Sequence, residues 1–85
     1  MTELVVDTSV VVKWYLPEQD HEAARALRDD YLNGEFDLVA PALLPFETTN
    51  ALRYSGQFDA AQLDAAAQSL SEYGIELVDF SDVGG

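Results

Sequence analysis

Two short stretches of this sequence carry the side chains best suited to chemistry. The first is Asp-Thr-Ser at residues 7–9, a carboxylate and two hydroxyls that directly follow the apolar residues 4–6. The second is Glu47 with Asn50 three residues later, a spacing that puts both on neighbouring positions of one helical face. Apolar residues surround Glu47 in the sequence, and a carboxylate in such surroundings requires a partner, a proton or a metal ion.

Asp7 ends a run rich in β-branched valine, which predicts a buried strand of a parallel sheet covered on both faces. Ligands of such sheets gather at the carboxyl ends of the strands, where Asp7 would lie. The alternative is that Asp7, Thr8 or Ser9 caps a helix that begins near Val10. The residues alone leave both interpretations open. Spacing excludes a haloacid dehalogenase-type site, which requires a second Asp where Ser9 stands, and the chain has no P-loop pattern.

The rest of the chain alternates between helical and extended patterns. Helices are predicted over residues 10–16, 20–33, 43–54 and 59–73, and strands over residues 4–6, 37–41 and 75–80. Ser81 and Asp82 resemble the cap of a further helix. Trp14 and Tyr15 are candidates for stacking on bases, although rings in an apolar run more often belong to the core. The alternation predicts an α/β fold with a parallel sheet, of which the three predicted strands would form about half.

Composition limits the class of protein further. The chain has 85 residues, 48% of them hydrophobic, with 16 acidic residues against four basic ones and a formal net charge of −12. Such a charge repels nucleic acid in dilute buffer and suits molar salt, where the Debye length is about 3 Å, so we expect a halophilic source. The absence of cysteine excludes disulfides and thiolate metal sites. With no apolar run of membrane-spanning length, we expect a cytoplasmic protein.

Three segments taken together resemble the N-terminal half of a PIN domain of the toxin–antitoxin ribonuclease type. They are Leu-Val-Val-Asp-Thr-Ser with Val-Val-Val-Lys-Trp-Tyr after it, then Leu-Val-Ala-Pro, then Glu-Thr-Thr-Asn-Ala-Leu from Glu47. The resemblance spans nearly all of this chain and about half of the family's domain. It implies a three-layer α/β/α fold with a parallel sheet, of which residues 1–85 hold about the first three strands and their helices.

The resemblance also implies an activity and a site. PIN domains of this type are metal-dependent endoribonucleases that bind Mg²⁺ or Mn²⁺ through three or four clustered acidic residues. By position, Asp7 and Glu47 match the first two acids, as catalytic and metal-binding residues. Ser9 and Thr8 match supporting hydroxyls, and Asn50 a side chain that orients the first carboxylate. The other acids of the family lie beyond the third strand, and Asp79 and Asp82 lack the matching context.

The partners that follow are an RNA substrate, a cognate antitoxin protein and a second copy of the chain. With only two of the expected acids we expect weak metal binding, because Mg²⁺ would then keep most of its water. The alternative function is a non-catalytic, PIN-derived interaction module that binds an antitoxin or self-associates. In either case residues 4–6 would form an edge strand with unpaired backbone groups.

Overall fold

The computed structural model describes residues 2–79. Within these residues lie three strands and four helices, with two helices between successive strands and a 3-10 turn directly after the first helix. In chain order they are β1 (Glu3–Val5), α1 (Thr8–Val11), the 3-10 turn (Val12–Trp14), α2 (His21–Leu32), β2 (Asp37–Pro41), α3 (Leu44–Tyr54), α4 (Ala60–Glu72) and β3 (Glu76–Val78). The predicted cap at Ser81 and Asp82 lies outside the described residues.

The three strands form one parallel sheet in the order β1-β2-β3. Val5 lies opposite Val39 in the first pair, and Pro41 lies opposite Val78 in the second. Because each neighbour in the sheet is parallel, the chain must cross back between strands, and helices make both crossovers. The predicted α/β class with helices flanking a parallel sheet is therefore confirmed. All three strands also end at the same edge, just before Val6, Ala42 and Asp79, and Asp7 follows Val6.

The prediction that the first strand is buried on both faces is wrong. All three residues of β1 are exposed, and Val5 keeps 69% of its surface accessible. Within the described part of the chain β1 pairs only with β2, so its outer edge and the face that carries Val5 lack cover. The residue after β1, Val6, is buried at 3% exposure. Its amide donates to the Val39 carbonyl.

The core lies between the sheet and the helices in two clusters. One joins β2 to the 3-10 turn and to all four helices, and its members are Val6, Val11, Trp14, Ala24, Leu38, Ala40, Leu44 and Leu70. The other joins the 3-10 turn and the residues after it to α3 and α4 through Val12, Leu16, Leu52 and Ala66. Trp14 is 3% exposed and meets Tyr73 edge to face at 5.2 Å, which confirms the core interpretation of this ring.

The helix ends follow from local sequence. Asp59 and Gln62 form the predicted capping box at the start of α4, with both hydrogen bonds at 2.8 Å. Gly74 has a φ of 68° just past α4, a left-handed conformation that glycine adopts without strain. The first helix begins at Thr8, earlier than the predicted Val10, because Asp7 is its N-cap residue.

Candidate functional site

Asp7 occupies both positions that its sequence context suggested. It follows β1 at the carboxyl edge of the sheet, and it is the N-cap of α1, where its Oδ1 accepts from the Val10 amide at 3.3 Å. The Ser9 hydroxyl donates to the same oxygen at 2.6 Å. This bond is the main cause that lowers the pKa of Asp7 below its usual value. Partial burial acts to raise the pKa, whereas the Val10 amide and the charge of Lys13 lower it further. Asp7 is therefore an ionised carboxylate at neutral pH.

Glu47 lies in the first turn of α3 and reaches the same edge from another part of the chain. The Thr8 hydroxyl donates to Glu47 Oε1 at 3.2 Å, across 39 residues of sequence. Because Thr8 is the residue after Asp7, this contact places Glu47 next to the turn that carries Asp7. Glu47 is exposed, so the expectation of apolar surroundings is wrong: α3 packs through its opposite face, and Phe46 next to Glu47 is 71% exposed.

The predicted supporting residues divide into two groups. Thr8 and Ser9 each donate a hydroxyl hydrogen bond to one carboxylate, Thr8 to Glu47 and Ser9 to Asp7. Asn50 lies one turn after Glu47 on the exposed face of α3, and its Oδ1 accepts from Arg53 at 3.1 Å. Among residues 2–79 no hydrogen bond joins Asn50 to Asp7, and the orienting role of Asn50 stays a prediction.

A comparison with protein-family models identifies the chain. The model of the PIN domain matches residues 4–83. This chain belongs to the PIN domain family. PIN domains are generally nucleases, and they typically depend on divalent metal ions and bind RNA. Searches of curated proteins and of solved structures found no match.

The donor set of this PIN domain suits a hard divalent cation only in part. Asp7 and Glu47 supply carboxylate oxygens, which Mg²⁺ and Mn²⁺ prefer. In the part of the chain that the structure covers, no group of three or more acidic or histidine side chains is placed to hold a metal ion. Asp79 follows β3 at the same edge, and Asp82 lies outside the described residues. A cation held by these two carboxylates alone would keep most of its water.

Sequence reasoning missed the positive charges and exposed rings beside this site. Lys13 lies near enough to Asp7 to lower its pKa, and Arg53 bonds Asn50 on α3. Phe46 and Tyr54 project from the same helix and are 71% and 85% exposed. Their separation of eight residues, with Asn50 midway, was a detectable signal, because residues spaced four apart share a helical face.

None of the helices between residues 2 and 79 combines the length and apolar character that a membrane span requires.

Proposed function

We propose that this PIN domain is a metal-dependent endoribonuclease that uses Mg²⁺ or Mn²⁺ with Asp7 and Glu47 as its first two metal-binding residues. The observation that carries the proposal is the hydrogen bond from Thr8 to Glu47 Oε1 at 3.2 Å. It joins the residue after the strand-end carboxylate to a second carboxylate 39 residues away, in a chain of a nuclease family. If Asp7 only capped a helix, or if Glu47 were only a solvated surface charge, this contact between distant segments would not be needed.

The side chains of the site prepare it for a cation in three ways. The Ser9 hydroxyl and the Val10 amide orient Asp7 and keep it ionised. The Thr8 hydroxyl orients Glu47. The two carboxylates together create a local negative charge that a cation relieves. A bound divalent ion supplies an acidified water and stabilises charge on a cleaving phosphodiester.

The test is RNA cleavage by the protein and by its Asp7→Asn variant in Mg²⁺ or Mn²⁺. Asparagine is as good an N-cap as aspartate, so the variant should fold normally and lose cleavage. Asp64→Asn, an exposed carboxylate on α4, is the matched control and should cleave as the parent does. Cleavage by Asp7→Asn, or cleavage by the parent in EDTA, would contradict the mechanism.

Metal affinity gives a second measure of the same site. Calorimetric titration with Mg²⁺ should show weak binding that Glu47→Gln reduces further, because two carboxylates leave the shell mostly to water. Tight, micromolar binding would show that further ligands exist, with Asp79 and Asp82 the first to examine.

The finer biological role that we propose is the toxin component of a toxin–antitoxin system, acting on RNA in the cytoplasm and held inactive by an antitoxin protein. It is supported by the likeness of residues 4–15, 38–41 and 47–52 to that branch of the family. Expression of the protein should arrest growth, and Asp7→Asn should abolish the arrest. Normal growth with active protein in the cells would contradict the toxin role.

We also propose that residues 1–85 hold the first part of the PIN domain. The open face and outer edge of β1 support this, because Val5 is 69% exposed on a strand of a family that covers its sheet. The reading frame past Gly85 is the direct test. A continuation with a further strand and acidic residues supports the proposal, and a stop codon contradicts it.

The second candidate function is a non-catalytic interaction module, which the β1 edge and the two-carboxylate site favour. An uncovered apolar edge strand offers its backbone groups to another chain.

Salt should control the compactness of these 85 residues. At low salt we expect them to self-associate or lose compactness. Molar salt should favour the compact form by screening the net charge of −12, as in a halophilic protein. A single 9.3 kDa species in dilute buffer, with cooperative unfolding, would contradict this expectation.

A further inference from the structure

One side of the first helical segment carries the only lysine of the chain, close to the candidate site. Residues 8–14 run through α1 and the 3-10 turn without a break, and the Val12 amide donates to the Thr8 carbonyl where the two meet. The side that faces the core carries the buried residues Val11, Val12 and Trp14. The opposite side keeps access to solvent, and its residues include Asp7, Ser9, Val10 and Lys13.

Lys13 lies where its charge reaches the Asp7 carboxylate. It follows Ser9 by about one helical turn, and the Ser9 hydroxyl donates to Asp7 Oδ1 at 2.6 Å. Side chains of a helix lean toward its N-terminus, so the Lys13 side chain leans toward Ser9 and Asp7. The charge of Lys13 accordingly acts on Asp7 and helps to lower the pKa of its carboxyl. The two opposite charges therefore share one accessible side of the segment.

The ammonium group of Lys13 is available to a ligand. Between residues 2 and 79 the one ion pair joins Arg28 to Asp29, and no hydrogen bond engages Lys13. Arg25 and Arg53 lie on α2 and α3. An unpaired cation is unusual in this chain, because 16 acidic residues stand against four basic ones. Lys13 thus keeps its charge exposed beside the candidate site although carboxylates are in excess.

We propose that Lys13 binds a backbone phosphate of the RNA substrate beside Asp7. The inference rests on the proposed nuclease function and adds a substrate-binding residue to it. The ammonium group of lysine is a compact point charge with three donors, and it forms strong charge-assisted hydrogen bonds to phosphate oxygens.

The charge balance of the site favours such a group. Cleavage brings a negatively charged phosphodiester up to two carboxylates, in a chain whose net charge is −12. One divalent cation on Asp7 and Glu47 only cancels the two carboxylate charges, and it leaves no positive charge for the phosphate. Lys13 supplies that charge at the edge of the site, where it opposes the overall repulsion between the chain and RNA.

The surroundings of Lys13 place the phosphate on the side of Asp7. Lys13 lines a groove of about 240 Å³ between the 3-10 turn and α2. The other residues that line this groove are Val10, Asp20, Ala23, Ala24 and Leu27. Asp20 carries the only other charge among them, and its carboxylate repels a phosphate. The end at Val10 adjoins the candidate site, because the Val10 amide donates to Asp7 Oδ1 at 3.3 Å.

The competing explanation is that Lys13 serves only as a counter-ion that keeps Asp7 ionised. Among the groups that lower the pKa of Asp7, the Ser9 hydroxyl contributes most and Lys13 least. The hydrogen bonds within the turn therefore hold Asp7 ionised without much help from Lys13. A counter-ion role leaves the exposed ammonium group unexplained, whereas phosphate binding accounts for it.

The experiment measures binding of a short fluorescein-labelled RNA oligonucleotide by fluorescence anisotropy. Every protein carries Asp7→Asn, which keeps the N-cap and leaves the RNA intact. Lys13→Met keeps an aliphatic stem in the groove but removes the charge. It should weaken binding about 3- to 10-fold, as expected for a partly exposed charged contact. Lys13→Arg restores the charge and should bind as the parent does.

Arg28→Gln is the matched control, since it removes one positive charge from α2. It should leave binding unchanged. The slope of log affinity against log salt concentration should differ between Lys13→Met and the parent by about 0.7–0.9, the value for one phosphate contact. Arg28→Gln should keep the parental slope. Equal weakening by Arg28→Gln would overturn the inference, because only overall charge would then matter. Parental affinity in Lys13→Met would overturn it too.

Cleavage kinetics with Asp7 intact give a second measurement. Lys13→Met should raise KM about as much as it weakens binding and leave kcat nearly unchanged. The reason is that a phosphate contact made equally in the ground state and the transition state is uniform binding. A lower kcat with an unchanged KM and a higher pKa of Asp7 would show that Lys13 acts only on Asp7, and would overturn the inference.

The two measurements separate this inference from the proposed function. A protein that binds RNA through Lys13 but never cleaves it in Mg²⁺ or Mn²⁺ contradicts the nuclease proposal and supports the phosphate contact. A protein that cleaves RNA, and whose Lys13→Met variant keeps the parental affinity and KM, overturns the Lys13 inference alone.

Discussion

The two carboxylates of the candidate site are held in contrasting ways. Asp7 is held within its own turn, by Ser9 at 2.6 Å and by the Val10 amide at 3.3 Å. Glu47 is held by Thr8, a residue 39 positions away in the sequence, at 3.2 Å. The first arrangement forms wherever α1 forms, whereas the second requires α1 and α3 to be docked against each other.

This difference shows which part of the site depends on the core. The docking of α3 relies on its buried face, where Leu44, Thr48 and Leu52 are almost fully enclosed. Leu52 packs with Val12 and Leu16, which follow α1 in the chain. Damage to that packing should separate the two carboxylates while leaving the Asp7 turn in place. Substitutions at four positions test this contrast.

The largest effect should come from Leu52→Ala. Leu52 is 1% exposed, and truncating such a leucine leaves a cavity that lowers the free energy of unfolding by about 2–5 kcal/mol. Urea unfolding followed by circular dichroism measures this loss. Leu32→Ala, at an exposed position, should change stability by less than about 0.5 kcal/mol. If the two variants were equally stable, α3 would not be held by its buried face.

Substitution of Asp7 by Ala and by Asn should separate the cap from the carboxylate. Asp7→Ala removes the N-cap of α1 and should lower the free energy of unfolding by about 0.5–2 kcal/mol, whereas Asp7→Asn keeps the cap and should cost less. Both should lose metal binding. Asp59→Ala removes the matching cap of α4 and calibrates the loss. Equal stability of Asp7→Ala and the parent would show that the cap contributes nothing.

Thr8→Val tests the long-range contact directly. It removes the hydroxyl that donates to Glu47, and since the bond is exposed we expect a loss of about 0.5 kcal/mol in stability. Mg²⁺ affinity, measured by calorimetry, should fall, because Glu47 loses its orienting partner. The pKa of Asp7 should stay lowered, since Ser9 and Val10 are untouched. A rise in the pKa of Asp7 would show that the two halves of the site are coupled.

Ser9→Ala tests the local half and has the smallest effect. It removes the main cause of the lowered pKa, so the pKa of Asp7 should rise toward its ordinary value of 3.8, as followed by carboxyl NMR titration. A carboxyl whose pKa is lower in the folded state adds stability above its unfolded pKa and loses it as pH falls through the folded pKa. The variant should therefore be less stable than the parent at neutral pH, and the two free energies of unfolding should become equal in acid. An unchanged titration would contradict the assignment.

Much of this fold was predictable because its signals act over a few residues. The capping box of Asp59 and Gln62, the strand Asp37–Pro41 and the α/β alternation all follow from local patterns. So does the cap at Asp7, which the residues offered only as one of two interpretations. Both interpretations describe the same residue, because only Val6 separates the end of β1 at Val5 from Asp7, the N-cap of α1.

The exposure of side chains was predicted least well. Residues 4–6 and the neighbours of Glu47 are apolar in sequence, yet Val5, Phe46 and Tyr54 lie on the surface. Hydrophobic pattern reports which face of an element is apolar, but only the arrangement of the other elements determines whether anything covers that face. Here α3 has apolar residues on both faces, and the core takes one of them.

The amino-acid sequence by itself determined the element order, the turn that orients Asp7 and the family to which the chain belongs, because caps, periodicity and short motifs depend on neighbouring residues. Only the tertiary structure decided that Thr8 meets Glu47, that the face of β1 carrying Val5 lacks cover and that Phe46 and Tyr54 face outward. These depend on the docking of α3 and the pairing of strands, and such contacts between distant residues form through packing that no single segment encodes.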